Sequence, residues 1–119
     1  MNVVIIGASD KLERYSYKAL KKLKVTGHHI FPVHPRLKDI HGIPVFYSLS
    51  DIKEPIHTVT IYVGAEKSSA LKDEIFKINP KRIIFNPGTE NQALLEEAKT
   101  HGIEVVEGCT LMMLASGVF

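Results

Sequence analysis

With 119 residues, 45% of them apolar and 24% charged, the chain can bury a real core but cannot hold a nucleotide-binding domain plus a separate substrate domain. Its apolar runs are short and broken by charge, so none reads as a membrane span, and no charged leader precedes the first apolar run, so no signal peptide is expected. The formal net charge is +2, carried unevenly: residues 1–40 hold eight Lys/Arg against three Asp/Glu, and residues 41–119 hold seven against ten. A basic first third favours an anionic partner.

The chain opens on Val3-Val4-Ile5-Ile6, an unbroken β-branched run of the kind that forms a buried parallel strand. Gly7-Ala8-Ser9-Asp10 follows, then a helix expected from about Tyr15 to Lys24 and closed by Thr26-Gly27. A glycine at a strand's carboxyl end permits a sharp turn and a close approach, and the next helix points free N–H groups at it. Such a place suits phosphate. His29 to Val33 reads as a second strand, ending at His34-Pro35-Arg36. Ile43-Pro44-Val45-Phe46 reads as an edge strand or as no strand, because proline cannot donate to a ladder. Ser50-Asp51 is placed to cap a short helical turn. Thr58 to Val63 is a third clear strand, ending at Gly64-Ala65. Ser68 to Ile78 carries Leu71, Ile75 and Ile78 at helical spacing; Arg82 to Phe85 is the next strand and Asn86-Pro87-Gly88-Thr89 a turn. Asn91 to His101 reads as the last long helix, with Leu94, Leu95 and Ala98 facing inward, and Ile103 to Val106 as the last strand. Gly108 to Phe119 is an apolar, partly helical tail whose Leu111-Met112-Met113-Leu114 either completes the core or forms a dimer contact.

Strands alternating with helices imply an α/β fold: a single domain over residues 1–119, with a doubly wound, mostly parallel sheet of about five strands in the order 3-2-1-4-5. Ligands of such sheets sit beyond the carboxyl ends of the strands, which here means the loops beginning at Gly7, His34, Gly64 and Asn86. The dinucleotide fingerprint is incomplete, since Ser9 and Leu12 stand where its second and third glycines belong, and no phosphate loop with Gly-Lys-Ser/Thr is present. An NAD site places Asp or Glu after the second strand; His34, Pro35 and Arg36 stand there instead. A basic loop at that point suits an adenosine whose ribose bears its own phosphate, which describes both NADP and coenzyme A.

Val4-Ile5-Ile6-Gly7-Ala8-Ser9-Asp10-Lys11, followed by Arg14-Tyr15-Ser16-Tyr17 and Pro32-Val33-His34-Pro35-Arg36, resembles the small bacterial CoA-binding proteins. These are single Rossmann-like domains similar to the CoA-binding portion of the succinyl-CoA synthetase alpha subunit. The likeness extends through Gly42-Ile43-Pro44-Val45-Phe46, Asn86-Pro87-Gly88 and Gly102-Ile103 to Cys109. It implies that CoA lies across the switch point, with Gly7, Ala8 and Ser9 along the diphosphate and Arg14 and Ser16 adding polar contacts. It also implies that His34, Pro35 and Arg36 hold the ribose phosphate, while Val63 and Gly64 pack beside adenine. The family usually shows Asn-Pro where this chain has His34-Pro35. A histidine there would gain charge below about 6.5, so binding is expected to strengthen on mild acidification.

The residues show no catalytic constellation. The six histidines have no metal-ligand spacing with cysteine or carboxylate partners, and Asp10, Glu13 and Asp51 read as cap and surface charges. Cys109, the only cysteine, cannot form an internal disulfide, which suits a reducing cytoplasm; it reads as a small buried apolar residue after the last strand, the alternative being a thiolate that meets the thiol end of CoA. Succinyl-CoA synthetase-like chains transfer phosphate through a histidine of a further domain, and no equivalent can be assigned here. Aromatic residues do not interleave with basic ones as a nucleic-acid platform requires. The expected function is therefore that of a CoA-binding module. An NADP-binding component of a redox system, or a degenerate fold kept for interaction with a second copy or a partner enzyme, are the alternatives.

Overall fold

Three runs of the chain are buried on both faces, and this double burial makes them the centre of a sheet. They are β1 (Asn2–Ile6), β5 (Thr58–Ile61) and β6 (Arg82–Phe85). The computed structural model describes residues 1–119. It flanks these strands with β2 (His29–Val33) on one side and β7 (Glu104–Glu107) on the other, all five parallel. Five helices complete the layers: α1 (Tyr15–Val25), α2 (Ala65–Ala70), α3 (Lys72–Ile78), α4 (Gln92–Thr100) and α5 (Thr110–Ala115).

Side chains alternate across a strand, so β1 feeds two cores. Val4 and Ile6 join Val59, Ile61, Ile83 and Phe85 under Ile75 of α3 and Leu94, Leu95 and Ala98 of α4. Val3 and Ile5 meet Tyr17, Leu20 and Leu23 of α1, with Leu114 of α5 packed at the margin. Of the apolar ending, then, Leu114 completes the core, whereas Met112 stays 69% exposed. Each fully buried aliphatic side chain contributes about 1.5–3 kcal/mol. The sheet is therefore the middle layer of an α/β sandwich.

The strand order differs from expectation. Counted along the chain, the five strands lie in the order 2-1-3-4-5, not 3-2-1-4-5. Thr58–Ile61 packs inside, against β1, and the place outside β2 is taken by a fragment of the 43–46 segment. There β3 (Asp39–Ile40) and β4 (Ile43–Pro44) form a small antiparallel pair, and only Phe46 bridges to Val33 in parallel. Pro44 has no N–H and the segment is short, so it cannot extend the ladder. The single bridge is held by Phe46 N–H donating to Pro32 O at 2.8 Å and His34 N–H to Phe46 O at 3.1 Å.

Other boundaries shift for local reasons. The helix expected from Ser68 starts at Ala65 and breaks at Leu71, whose φ of −98° and ψ of 2° end α2 and begin α3. The third strand ends at Ile61 rather than Val63, because the chain turns there past the end of β1. The short helical turn is Leu49–Asp51, capped by the Ser48 hydroxyl accepting from Ser50 N–H. Asn91 and His101 turn out to be the caps of α4.

Gly7 sits at the tightest point. Its φ is +87°, and a Cβ there would lie 2.8 Å from Val63 Cγ1 and 3.1 Å from the Tyr62 carbonyl. Gly27 has nearly the same φ, +88°, with nothing within 4 Å. Gly27→Ala should cost about 1–2 kcal/mol, the left-handed backbone penalty alone. Gly7→Ala should cost at least about 1 kcal/mol more, because the added methyl also overpacks. Urea unfolding of the two variants measures the difference; equal losses would show that close packing at Gly7 carries no energy.

Candidate functional site

The carboxyl ends of the strands bring the turn after β1, the turn after β2 and the start of α2 to one edge. After β1, Ala8 is buried and its N–H reaches Val33 O at 3.4 Å, which ties the first turn to the end of β2. The Ser9 hydroxyl accepts from Lys11 N–H at 3.1 Å and shapes the loop into α1. Arg14 begins α1 in an extended conformation without a side-chain cap, and no acidic residue occupies the first turn. The N–H groups of Ser9, Asp10, Tyr15 and Ser16 donate to no acceptor within the chain. Free donors at a helix start carry partial positive charge. Ser16 is buried beneath this turn, whereas the Arg14 side chain is exposed.

The turn after β2 is organised by a histidine acting as an acceptor. His34 Nδ1 receives N–H bonds from both Arg36 and Leu37 at 3.0 Å. An acceptor nitrogen carries no proton, so the ring is neutral with its hydrogen on Nε2. Burial lowers the His34 pKa below its ordinary 6.5, the Arg36 and Lys67 charges lower it further, and Asp10 opposes them. Charge gain at His34 on mild acidification, expected from the sequence, is therefore corrected: protonation would break both N–H bonds and face two cations. Pro35 and Arg36 are exposed beside it. Lys67, in the first turn of α2, belongs to the same charged corner. The sequence reading missed it, although its place just after a strand end at this edge was the available signal.

Val63 and Gly64 follow β5 at this same edge. The Val63 side chain fills the space above Gly7, and exposed Gly64 caps α2, its carbonyl accepting from Ser68 N–H at 3.0 Å. Gly7 is thus required first by the fold.

Behind this edge lies a buried polar lattice that was not anticipated. Asn86 Nδ2 donates to Thr60 Oγ1 at 2.7 Å and Ile61 O at 2.9 Å, and its Oδ1 accepts from Thr110 N–H at 2.9 Å. The Thr60 and Thr110 hydroxyls meet at 2.8 Å. Asn91 caps α4 and also donates to Ser68 Oγ at 2.8 Å and Ser69 Oγ at 2.9 Å on α2. The hydroxyl of Tyr62 lies near Thr110 and Thr60 without a hydrogen bond of acceptable geometry, and burial pushes its pKa up to about 12. Half-buried Cys109 caps α5 through its backbone, accepting from Met113 N–H at 2.9 Å. The site residues form an open edge. Two grooves of about 390 and 480 Å³ include none of them.

The sequence profile described as CoA binding domain matches residues 1–115. The chain belongs to this CoA-binding domain family. An uncharacterized protein, YneT, of Bacillus subtilis (strain 168) is 24% identical over 104 residues, 87% of this chain and 77% of the relative. An ADP-forming acetate–CoA ligase of Methanocaldococcus jannaschii is 34% identical over 62 residues, which are 52% of this chain and 9% of the ligase. A crystal structure of an uncharacterized protein superposes with a TM-score of 0.88 at 37% identity, covering 99% of this chain and 97% of the other.

Within this CoA-binding domain, His34 Nδ1 supplies the acceptor that shapes the turn after β2. Because the folded pKa is depressed, the contribution of His34 to this turn is complete above pH 6.5 and is lost as pH falls below that value. Long-range proton–nitrogen correlation spectra should show the Nε2–H tautomer, titrating below 6.5. An Nδ1–H tautomer, or protonation above 6.5, would contradict the assignment.

Proposed function

We propose that this chain binds coenzyme A or an acyl-CoA across the switch point between β1 and β5, as one CoA-binding domain over residues 1–119. Support comes from the pairing of two features at one edge: free backbone donors at Ser9, Asp10, Tyr15 and Ser16, and cations at Arg36 and Lys67. The first set suits a diphosphate, and the second suits a phosphate on the ribose. In this reading Gly7, Ala8 and Ser9 line the diphosphate, and Arg14 and Ser16 add contacts at the start of α1. His34 and Pro35 hold Arg36 toward the ribose phosphate, with Val63 and Gly64 at the adenine side.

The role is that of a binding module. The M. jannaschii ligase contains the matched segment as 9% of its length, which supports a partial role here: holding CoA while another polypeptide acts on it. A single half-buried cysteine, Cys109, suits a reducing, cytoplasmic setting for such a module. The family match favours CoA, and no comparison favours NADP.

Calorimetry with CoA, dephospho-CoA and NADP tests the reading: CoA should bind most tightly. Arg36→Ala should weaken CoA by about 1.5–3 kcal/mol, the worth of a charge-assisted hydrogen bond, and should leave dephospho-CoA nearly unchanged. Tighter binding of NADP, or equal losses for CoA and dephospho-CoA, would contradict it.

A further inference from the structure

Seven large apolar side chains stand exposed on this chain, and four of them, Leu12, Tyr15, Val25 and Met112, lie on α1, its lead-in or α5. Between these helices runs an open groove of about 480 Å³, walled by Leu12, Val25 and Leu111 and by Lys18, Lys21 and Lys22. No acidic residue lines it. The three lysines take part in no ion pair, since the chain's salt bridges involve only Lys72, Lys99 and His101 as cations. Tyr15, Lys18, Lys22 and Val25 follow one another at spacings of three and four, so they form a single stripe along the outer face of α1. Lys18 Nζ lies 5.2 Å from the Tyr15 ring centroid, which turns one cation toward the front of the stripe.

We propose that this groove docks an acidic amphipathic helix of a partner protein. Apolar anchors at Leu12 and Val25, with three unpaired cations between them, match a helix whose apolar residues face the groove and whose Glu or Asp residues flank them. The eleven residues of α1 span roughly 16 Å, so about three turns of the partner can lie alongside. A second copy of this chain fits badly, because a two-fold contact through the groove would set each lysine triplet against its twin. The wall formed by α5 is already fixed: the Thr110 N–H is held by Asn86 Oδ1 and its hydroxyl lies 2.8 Å from that of Thr60. Docking therefore orders little of this chain, and charge complementarity sets the choice of partner.

Amide spectra of the isotope-labelled full chain test the proposal, with a synthetic helical peptide of about three turns bearing leucines on one face and glutamates on its flanks. This peptide should give saturable shifts confined to Leu12, Tyr17–Val25 and Leu111–Met112, weakening as salt is raised. The combined variant Lys18→Glu, Lys21→Glu, Lys22→Glu should lose at least about tenfold in affinity. Val25→Asp, which keeps the lysines, should lose affinity as well, and a native-like spectrum establishes that each variant is folded. The proposal is overturned by an absence of saturable shifts, or by equal binding of a matching peptide with lysine flanks. It is also overturned if the same residues shift with anionic phospholipid vesicles and not with the peptide, or shift with protein concentration alone.

Discussion

β1 and β5 approach closely at their carboxyl ends because residue 7 has no side chain, and the rest of the candidate site is arranged around that junction. Val63 occupies the volume that a Cβ at position 7 would need. Two neighbouring parallel strands then diverge into crossovers that run to opposite sides of the sheet, β1 to β2 on one hand and β5 to β6 on the other. The crevice left between such crossovers is where ligands of open α/β sheets bind. Here it is edged by backbone N–H groups with no internal partner. Asp10 and Tyr15 are exposed and Ser9 is half-buried, so presenting these three N–H groups costs the fold little.

Behind the edge the structure is stiffened by buried amides rather than by ion pairs. Asn86 joins β5, β6 and α5, and Asn91 joins α2 and α4. Each is satisfied at both ends of its side chain, which is the condition under which a buried polar group stabilises rather than costs. The three salt bridges all lie on the exposed surface around α3 and α4, where such pairs contribute at most about 1 kcal/mol. The carboxyl edge is thus a preorganised frame that carries two long, exposed cationic side chains, Arg36 and Lys67.

How much of this could be read from the chain depends on whether the signal is local. β2 and β6 were legible to the residue because apolar runs end abruptly at His34 and Asn86, and α4 was legible because Leu94, Leu95 and Ala98 share one face. The strand order was missed although Pro32, which cannot donate to a ladder, marks β2 as an edge strand and the doubly buried Thr58–Ile61 belongs inside. The break at Leu71 was hidden because Leu71, Ile75 and Ile78 keep helical spacing across it. In the site, Gly7 and the His34–Arg36 turn were visible as strand ends. The neutral, accepting state of His34 was not, because it depends on two N–H groups that only the folded turn aims at Nδ1. Lys67 and Asn86 act through tertiary neighbours more than 20 residues away in sequence, beyond the reach of any local pattern.

The central claim is that the junction at Gly7 presents unpaired backbone donors to the phosphates of CoA. A titration of the isotope-labelled chain with CoA, followed residue by residue at the amides, addresses it directly. The account predicts that the largest shifts fall at Ser9, Asp10, Tyr15, Ser16 and Arg36. Shifts centred instead on the opposite end of the sheet, around His57 and Arg82, with the Gly7 turn silent, would contradict it.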